Sequence, residues 1–129
     1  MENLKIDASK FIPGIYLNAD KGILEIAGNS GAFAVEEYER SSAHWVVALG
    51  WVEQYIPNPQ PRTTFLCKLR SFDTTTSKYL VEIFKALETI EKPNTVEIFW
   101  QLGKDDSDIL DYVENVNEML KNIHITVVE

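Results

Sequence analysis

Midway along the chain the spacing of the apolar residues changes period. Phe65, Cys67 and Leu69 alternate with Leu66, Lys68 and Arg70 in a mostly period-two pattern, after which Leu80, Ile83, Phe84, Leu87 and Ile90 recur three and four apart. The first pattern predicts a strand and the second an amphipathic helix, since side chains alternate across a strand but return to one face of a helix. The same reading predicts strands at Gly14 to Asn18 and Gly22 to Ala27, joined by the hairpin turn Ala19-Asp20-Lys21-Gly22. Trp45, Leu49, Val52 and Ile56 form the stripe of a helix between Val35 and Ile56, and Pro57-Asn58-Pro59-Gln60-Pro61 ends it. Beyond the break at Lys92-Pro93-Asn94, Val96, Ile98 and Trp100 alternate with Glu97 and Phe99 as another strand. A third helix follows over Asp105 to Lys121, with Ile109, Tyr112, Val113, Val116 and Leu120 on one face. Ile123, Ile125 and Val127 then alternate with His124, Thr126 and Val128 as a last strand.

The order is ββαβαβαβ. Strands separated by helices favour parallel neighbours with right-handed crossovers, and the opening hairpin adds antiparallel pairing. The expected fold class is therefore α/β (α+β), a mixed sheet of about five strands with three helices packed against it. With 129 residues and 45% hydrophobic content, the chain suits one compact core, and residues 1–129 read as a single domain without internal repeats.

Charge narrows the partners. A net charge of −8 with no Lys/Arg cluster opposes binding to a nucleic-acid backbone, which draws its affinity from cations on phosphates. Met1 to Lys10 carries no apolar signal-peptide core, and the apolar-rich run Trp45 to Val52 is too short to span a bilayer. No membrane insertion and a cytoplasmic location are expected. The lone Cys67 falls on a predicted buried strand and reads as a small apolar filler.

The chemistry concentrates at the junction of the central strand and helix, Ser71-Phe72-Asp73-Thr74-Thr75-Thr76-Ser77-Lys78. A strand that ends where a helix begins puts this turn at the exposed edge of the sheet with free amide N–H groups, a place suited to a phosphate. Two readings are compatible. Asp73 or Thr74 caps the helix, or a hydroxyl here carries a phosphoryl group that the amides and the helix dipole stabilise.

Other constellations are weaker. Asp105, Asp106, Asp108 and Asp111 lack the spacing of a calcium loop and suit the first turn of a helix, where carboxylates complement the dipole. Ser41, Ser42 and His44 are neighbours on one helix with no oxyanion motif beside them. His124 lies on the strand face opposite Ile123, Ile125 and Val127, and two histidines with one cysteine make a poor metal set. Trp45 and Trp100 fall on predicted core faces, whereas Trp51 either flanks the buried stripe or sits at an interface. Gly28-Asn29-Ser30-Gly31 reads as a turn, with neither a P-loop lysine nor a dinucleotide fingerprint. No catalytic set, metal site or cofactor is expected.

The segment Phe72 to Glu88, FDTTTSKYLVEIFKALE, resembles the SiaC-like family of bacterial regulatory phosphoproteins. That family's motif is an apolar residue, Asn-Thr-Ser-Ser, a variable residue and Lys, then a helix rich in Ile-Phe and Leu-Glu. The matching residues are Phe72, Asp73, Thr74, Thr75, Thr76, Ser77 and Lys78, then Ile83-Phe84 and Leu87-Glu88. Pro13 to Ile26, the Trp51 to Tyr55 spacing, and Trp100 followed by the Asp-rich turn to Asp108 echo other parts of the family pattern. The resemblance implies a STAS-like fold and a non-enzymatic partner switch, phosphorylated by a Ser/Thr protein kinase and restored by a PP2C-type phosphatase. It further implies that the unphosphorylated form binds and activates a diguanylate cyclase, raising cyclic di-GMP and favouring biofilm growth. By position the phosphorylated residue is Thr74, with Thr75 and Thr76 as alternates, and Asp73, Thr75, Thr76, Ser77 and Lys78 are expected at the partner surface. The alternative roles on the same fold are an anti-sigma-factor antagonist and a small-ligand or lipid-sensing domain. Two departures stand out: Asp73 replaces the motif asparagine, and Asn29-Ser30-Gly31-Ala32-Phe33-Ala34-Val35-Glu36 replaces a Ser-Tyr-Pro-Glu-Asn pattern in a Gly28 to Trp51 stretch that is several residues longer than usual.

Overall fold

The computed structural model describes residues 1–10, 12–30, 35–103 and 106–129. The elements are β1 (Leu4–Ile6), β2 (Gly14–Asn18), β3 (Ile23–Ser30), α1 (Val35–Tyr55), β4 (Arg62–Phe72), α2 (Thr74–Leu87), β5 (Thr95–Gln101), α3 (Ser107–Met119) and β6 (Ile125–Val128). They form a mixed sheet in the order β1-β2-β3-β4-β5-β6. The two pairs among β1, β2 and β3 are antiparallel, and β3 through β6 run parallel.

Among the described residues the sheet has six strands rather than about five, so the order is βββαβαβαβ. The extra strand, β1, is a three-residue alternation too short to show a period. It is held by tertiary contacts: Asn3 Oδ1 accepts the Ala19 amide at 2.8 Å, and the Trp51 indole donates to the Glu2 carbonyl at 2.8 Å. The last strand begins at Ile125, two residues later than its alternation suggests. Asn117 makes that start, its amide oxygen accepting from Ile125 N at 2.6 Å and its amide nitrogen donating to Ile125 O at 3.1 Å. A side chain from α3 thus satisfies backbone groups on an edge strand, which blunts a surface prone to pairing with other chains.

The hairpin between β2 and β3 turns at Gly22, whose φ of 66° belongs to glycine. A Cβ there would also meet the Arg62 carbonyl oxygen at 2.5 Å. Gly28-Asn29-Ser30 is strand rather than turn, and Gly31 lies outside the described residues. Gly28, at φ 117°, marks an irregularity in the parallel pairing: it faces Leu69, and Asn29 then faces Ser71, so Arg70 is skipped. The bulge lets β3 accompany β4 to its end instead of turning away. Ala32, Phe33 and Ala34 of the altered segment also lie outside the described residues.

One face of the sheet is covered. Phe65, Cys67 and Leu69 of β4 are buried with Leu24, Ile26, Ile98 and Trp100, and they share a core with Trp45 and Val52 of α1, Leu80 and Phe84 of α2, and Val113 and Val116 of α3. Right-handed crossovers that step in one direction along a sheet bring successive helices to the same side. On the other face Leu66 and Phe99 are half-buried, and the ion pairs Lys68–Glu25 at 2.8 Å and Arg62–Glu97 at 2.5 Å lie across the strands. β4 is an inner strand, flanked by β3 and β5. The hydroxyl turn therefore stands at the carboxyl end of the sheet and not at its lateral edge.

Candidate functional site

β4 continues to Phe72 and α2 starts at Thr74, so Asp73 alone joins them. Asp73 is extended, at φ −89° and ψ 178°, and its carboxylate Oδ1 accepts the Thr76 amide at 2.8 Å. The Ser77 amide donates to the Asp73 carbonyl at 3.1 Å and opens the helical ladder. Asp73 is thus the cap, with its negative charge at the positive end of the helix dipole. Thr74, freed of that task, is the first helical residue and is exposed.

The four hydroxyls differ sharply in access. Thr75 is half-buried, whereas Thr76 is fully buried on the core side of α2. Ser77 is half-buried and its hydroxyl donates to the Thr74 carbonyl at 2.7 Å. Lys78 is exposed one turn beyond Thr74. Asp73, Thr74, Ser77 and Lys78 therefore surround one turn, while Thr76 faces the opposite way.

Aromatic side chains support this turn from below. Phe72 packs edge-on against Tyr112 with ring centres 4.9 Å apart, and both meet Trp100, at 5.5 Å and 5.8 Å. The Tyr112 hydroxyl donates to the Ser77 carbonyl at 2.8 Å, tying α3 to the first turn of α2. Burial, and secondarily Cys67, raises the Tyr112 pKa above its ordinary value, so this hydroxyl keeps its proton and remains a donor. Trp45 of α1 stacks on Tyr79 with ring centres 6.4 Å apart, bracing α2 from its other flank. Tyr112 follows the apolar spacing of α3, but its bond to Ser77 has no signal in the sequence, because it exists only once α3 lies beside α2.

Elsewhere the candidate chemistry resolves into structure. Asp105 lies outside the described residues; the Asp106 carboxylate accepts the Gly103 amide; Asp108 and Asp111 are exposed on α3. Among the described residues no group of three or more His, Cys, Asp or Glu is placed to hold a metal ion. Ser41 is buried, Ser42 is half-buried beside it, and the half-buried His44 has an Nδ1 with no hydrogen-bond partner. Burial, and secondarily the Arg40 charge, lowers the His44 pKa. His124 is exposed just before β6. Cys67 is fully buried, and burial pushes its thiol well up, leaving no reactive thiolate.

Trp45 and Trp100 are core residues, as their positions on the predicted faces suggest. Trp51 flanks the buried stripe: it stacks on Tyr55 at 5.2 Å and bonds to the N-terminal segment. The Tyr55 hydroxyl in turn meets Thr63 Oγ1 at 2.8 Å and accepts the Gln60 amide at 3.1 Å, pinning the proline-rich connector. No helix among the described residues is long and apolar enough to cross a membrane.

The fold has known counterparts. The chain aligns over 100% of its length, and 100% of the other's, with a crystal structure of apo-SiaC from Pseudomonas aeruginosa, at a TM-score of 0.82 and 19% identity. A chain in the crystal structure of the diguanylate cyclase SiaD in complex with its activator SiaC, from the same organism, matches at a TM-score of 0.79 and 19% identity, over 97% of this chain and 99% of that one. At this identity the likeness establishes the fold. No curated protein sequence matches the chain. The family model for SiaC family regulatory phosphoproteins matches residues 6–129, from the first strand through the hydroxyl turn to the last, and the chain belongs to that family.

Proposed function

We propose that the protein is a non-enzymatic partner switch whose state is set by phosphorylation of Thr74. The observation that carries this reading is the separation of roles within the turn. Asp73 caps the helix, Thr76 is buried, and Thr74 stands exposed at the first helical position. A kinase reaches Thr74 without opening the fold, whereas modifying Thr76 requires the first turn to unwind. In the transfer, a bond forms between Thr74 Oγ and the terminal phosphorus of a nucleoside triphosphate as the bond to the leaving diphosphate breaks. The hydroxyl proton passes to a base on the kinase. Hydrolysis by a PP2C-type phosphatase restores the threonine.

The unphosphorylated protein then binds and activates a diguanylate cyclase in the cytoplasm. Membership of a regulatory phosphoprotein family supports this output, as does the matching chain in a complex of a diguanylate cyclase with its activator. Docking uses the outer side of the turn, the exposed Thr74 and Lys78 with the half-buried Asp73, Thr75 and Ser77 beside them, whereas Thr76, also expected at the partner surface, is buried. A phosphoryl group there adds close to two negative charges and alters the surface without disturbing the core.

Phosphopeptide mapping by mass spectrometry on protein from its native cells tests the site. The expected result is a phosphatase-sensitive phosphoryl group on Thr74 that disappears in Thr74→Ala; unchanged incorporation in that variant rejects the assignment. Thr74→Asp is expected to bind the purified cyclase more weakly than the wild type, and equal affinity counts against the switch.

A further inference from the structure

Thr74 lies between two opposite charges that the fold places within one helical turn. On one side is Asp73, adjacent in the chain, its carboxylate held at the helix terminus by the Thr76 amide. On the other is Lys78, four residues on and therefore on the same face of α2. Lys78 is exposed and takes part in none of the ion pairs found among the described residues, which are Lys5–Asp7, Arg62–Glu97 and Lys68–Glu25. The first turn of α2 itself contains no acidic residue.

Resting on the reading of Thr74 as the phosphorylated residue, we propose that Lys78 is the intramolecular counter-ion of the phosphoryl group and that Asp73 opposes it. A phosphoryl dianion at position 74 meets the Lys78 ammonium across one turn and the Asp73 carboxylate next to it. The attraction stabilises the dianion and the repulsion disfavours it. Because the Asp73 carboxylate is fixed by its capping bond, it does not swing away at no cost, whereas the Lys78 side chain is long and free to reach. The repelled group therefore turns toward Lys78. Phosphorylation then changes two charges on the docking surface at once: it adds a dianion, and it withdraws an exposed cation from any acidic group on a partner.

The test uses the full chain carrying phosphothreonine at position 74, installed during translation so that no kinase is required, with the phosphate titration followed by phosphorus NMR. The second phosphate pKa starts near about 6. In Lys78→Gln it is expected to rise by about 0.3 unit, the size of an exposed pair one turn apart, and in Lys78→Arg to stay with the wild type. In Asp73→Asn, which keeps a capping side chain and removes the charge, it is expected to fall. A Lys78→Gln curve that superimposes on the wild type overturns the counter-ion role, and an Asp73→Asn curve that does not move overturns the opposing one. Failure to find phosphate on Thr74 in native cells is a separate result: it removes the proposed switch and leaves this titration intact.

Discussion

The Asp73 carboxylate accepts the amide hydrogen of Thr76 at 2.8 Å, and this bond divides the hydroxyl run into a capped inner side and an exposed outer one. Asp73→Ala is expected to destabilise the protein by about 1 kcal/mol through loss of the cap. Thr74→Ala, which removes an exposed side chain with no capping role, is expected to stay within about 0.5 kcal/mol of the wild type. Urea unfolding of both variants checks the difference, and a larger loss for Thr74→Ala contradicts the assignment of the cap.

Negative charge at the two ends of the threonine run should have opposite outcomes for the fold. Thr76 is fully buried, so Thr76→Asp places a carboxylate in the core and is expected to cost about 3 kcal/mol or more. Thr74→Asp puts the same charge in solvent at a helix N-terminus beside Asp73, where dipole and repulsion oppose each other, and the net change is expected to be under about 1 kcal/mol. Thermal unfolding ranks the two, and similar midpoints would show that Thr76 is accessible.

Tyr112 is predicted to hold the turn through its hydroxyl as well as its ring. Tyr112→Phe keeps the packing against Phe72 and Trp100 but removes the 2.8 Å bond to the Ser77 carbonyl, for an expected loss of about 1 kcal/mol. Hydrogen exchange should accelerate most in the first turn of α2 and the facing part of α3. Acceleration spread evenly over the molecule would point to a general loss of stability instead.

Glu88 closes the far end of the same helix. Its Oε2 accepts the amides of Lys121 at 2.8 Å and Asn122 at 3.2 Å, fixing the chain between α3 and β6. Glu88→Ala is expected to cost about 1 to 2 kcal/mol, and Glu88→Gln, which keeps an acceptor oxygen, less. Equal unfolding midpoints for the two variants would mean that the acceptor role is unimportant.

His44 gives the fold a pH dependence of defined sign. Burial and Arg40 lower its pKa in the folded protein below the ordinary 6.5. As pH falls, the unfolded chain takes up the proton first, so stability declines from about pH 6.5 downward and levels off below the folded pKa. His44→Gln lacks this component. Urea midpoints at about pH 7.5 and pH 5.5 should therefore drop further in the wild type than in the variant, and parallel behaviour would refute it.

Much of this architecture could be read from local pattern. The three helices, the β2–β3 hairpin, the inner strands β4 and β5 and the core positions of Trp45 and Trp100 follow from periodicity and turn residues, because each long element buries one face against a common sheet. The motif from Phe72 to Glu88 located the turn and the family for the same reason: its residues are contiguous. What failed was short or relational. The three residues of β1 carry too little pattern to mark a strand, and Gly28 looked like a turn because a bulge and a turn make the same demand on the backbone.

The sequence by itself determined that a row of hydroxyls begins an amphipathic helix after a strand, since that needs only local spacing. Which hydroxyl is exposed was settled by tertiary structure. The face of α2 that packs onto the sheet buries Thr76, Asp73 takes the cap, and Tyr112 arrives from α3, thirty-five positions along the chain, to fix the turn. Exposure and long-range hydrogen bonds depend on where elements meet, and neighbours in space that are distant in sequence leave no periodic trace.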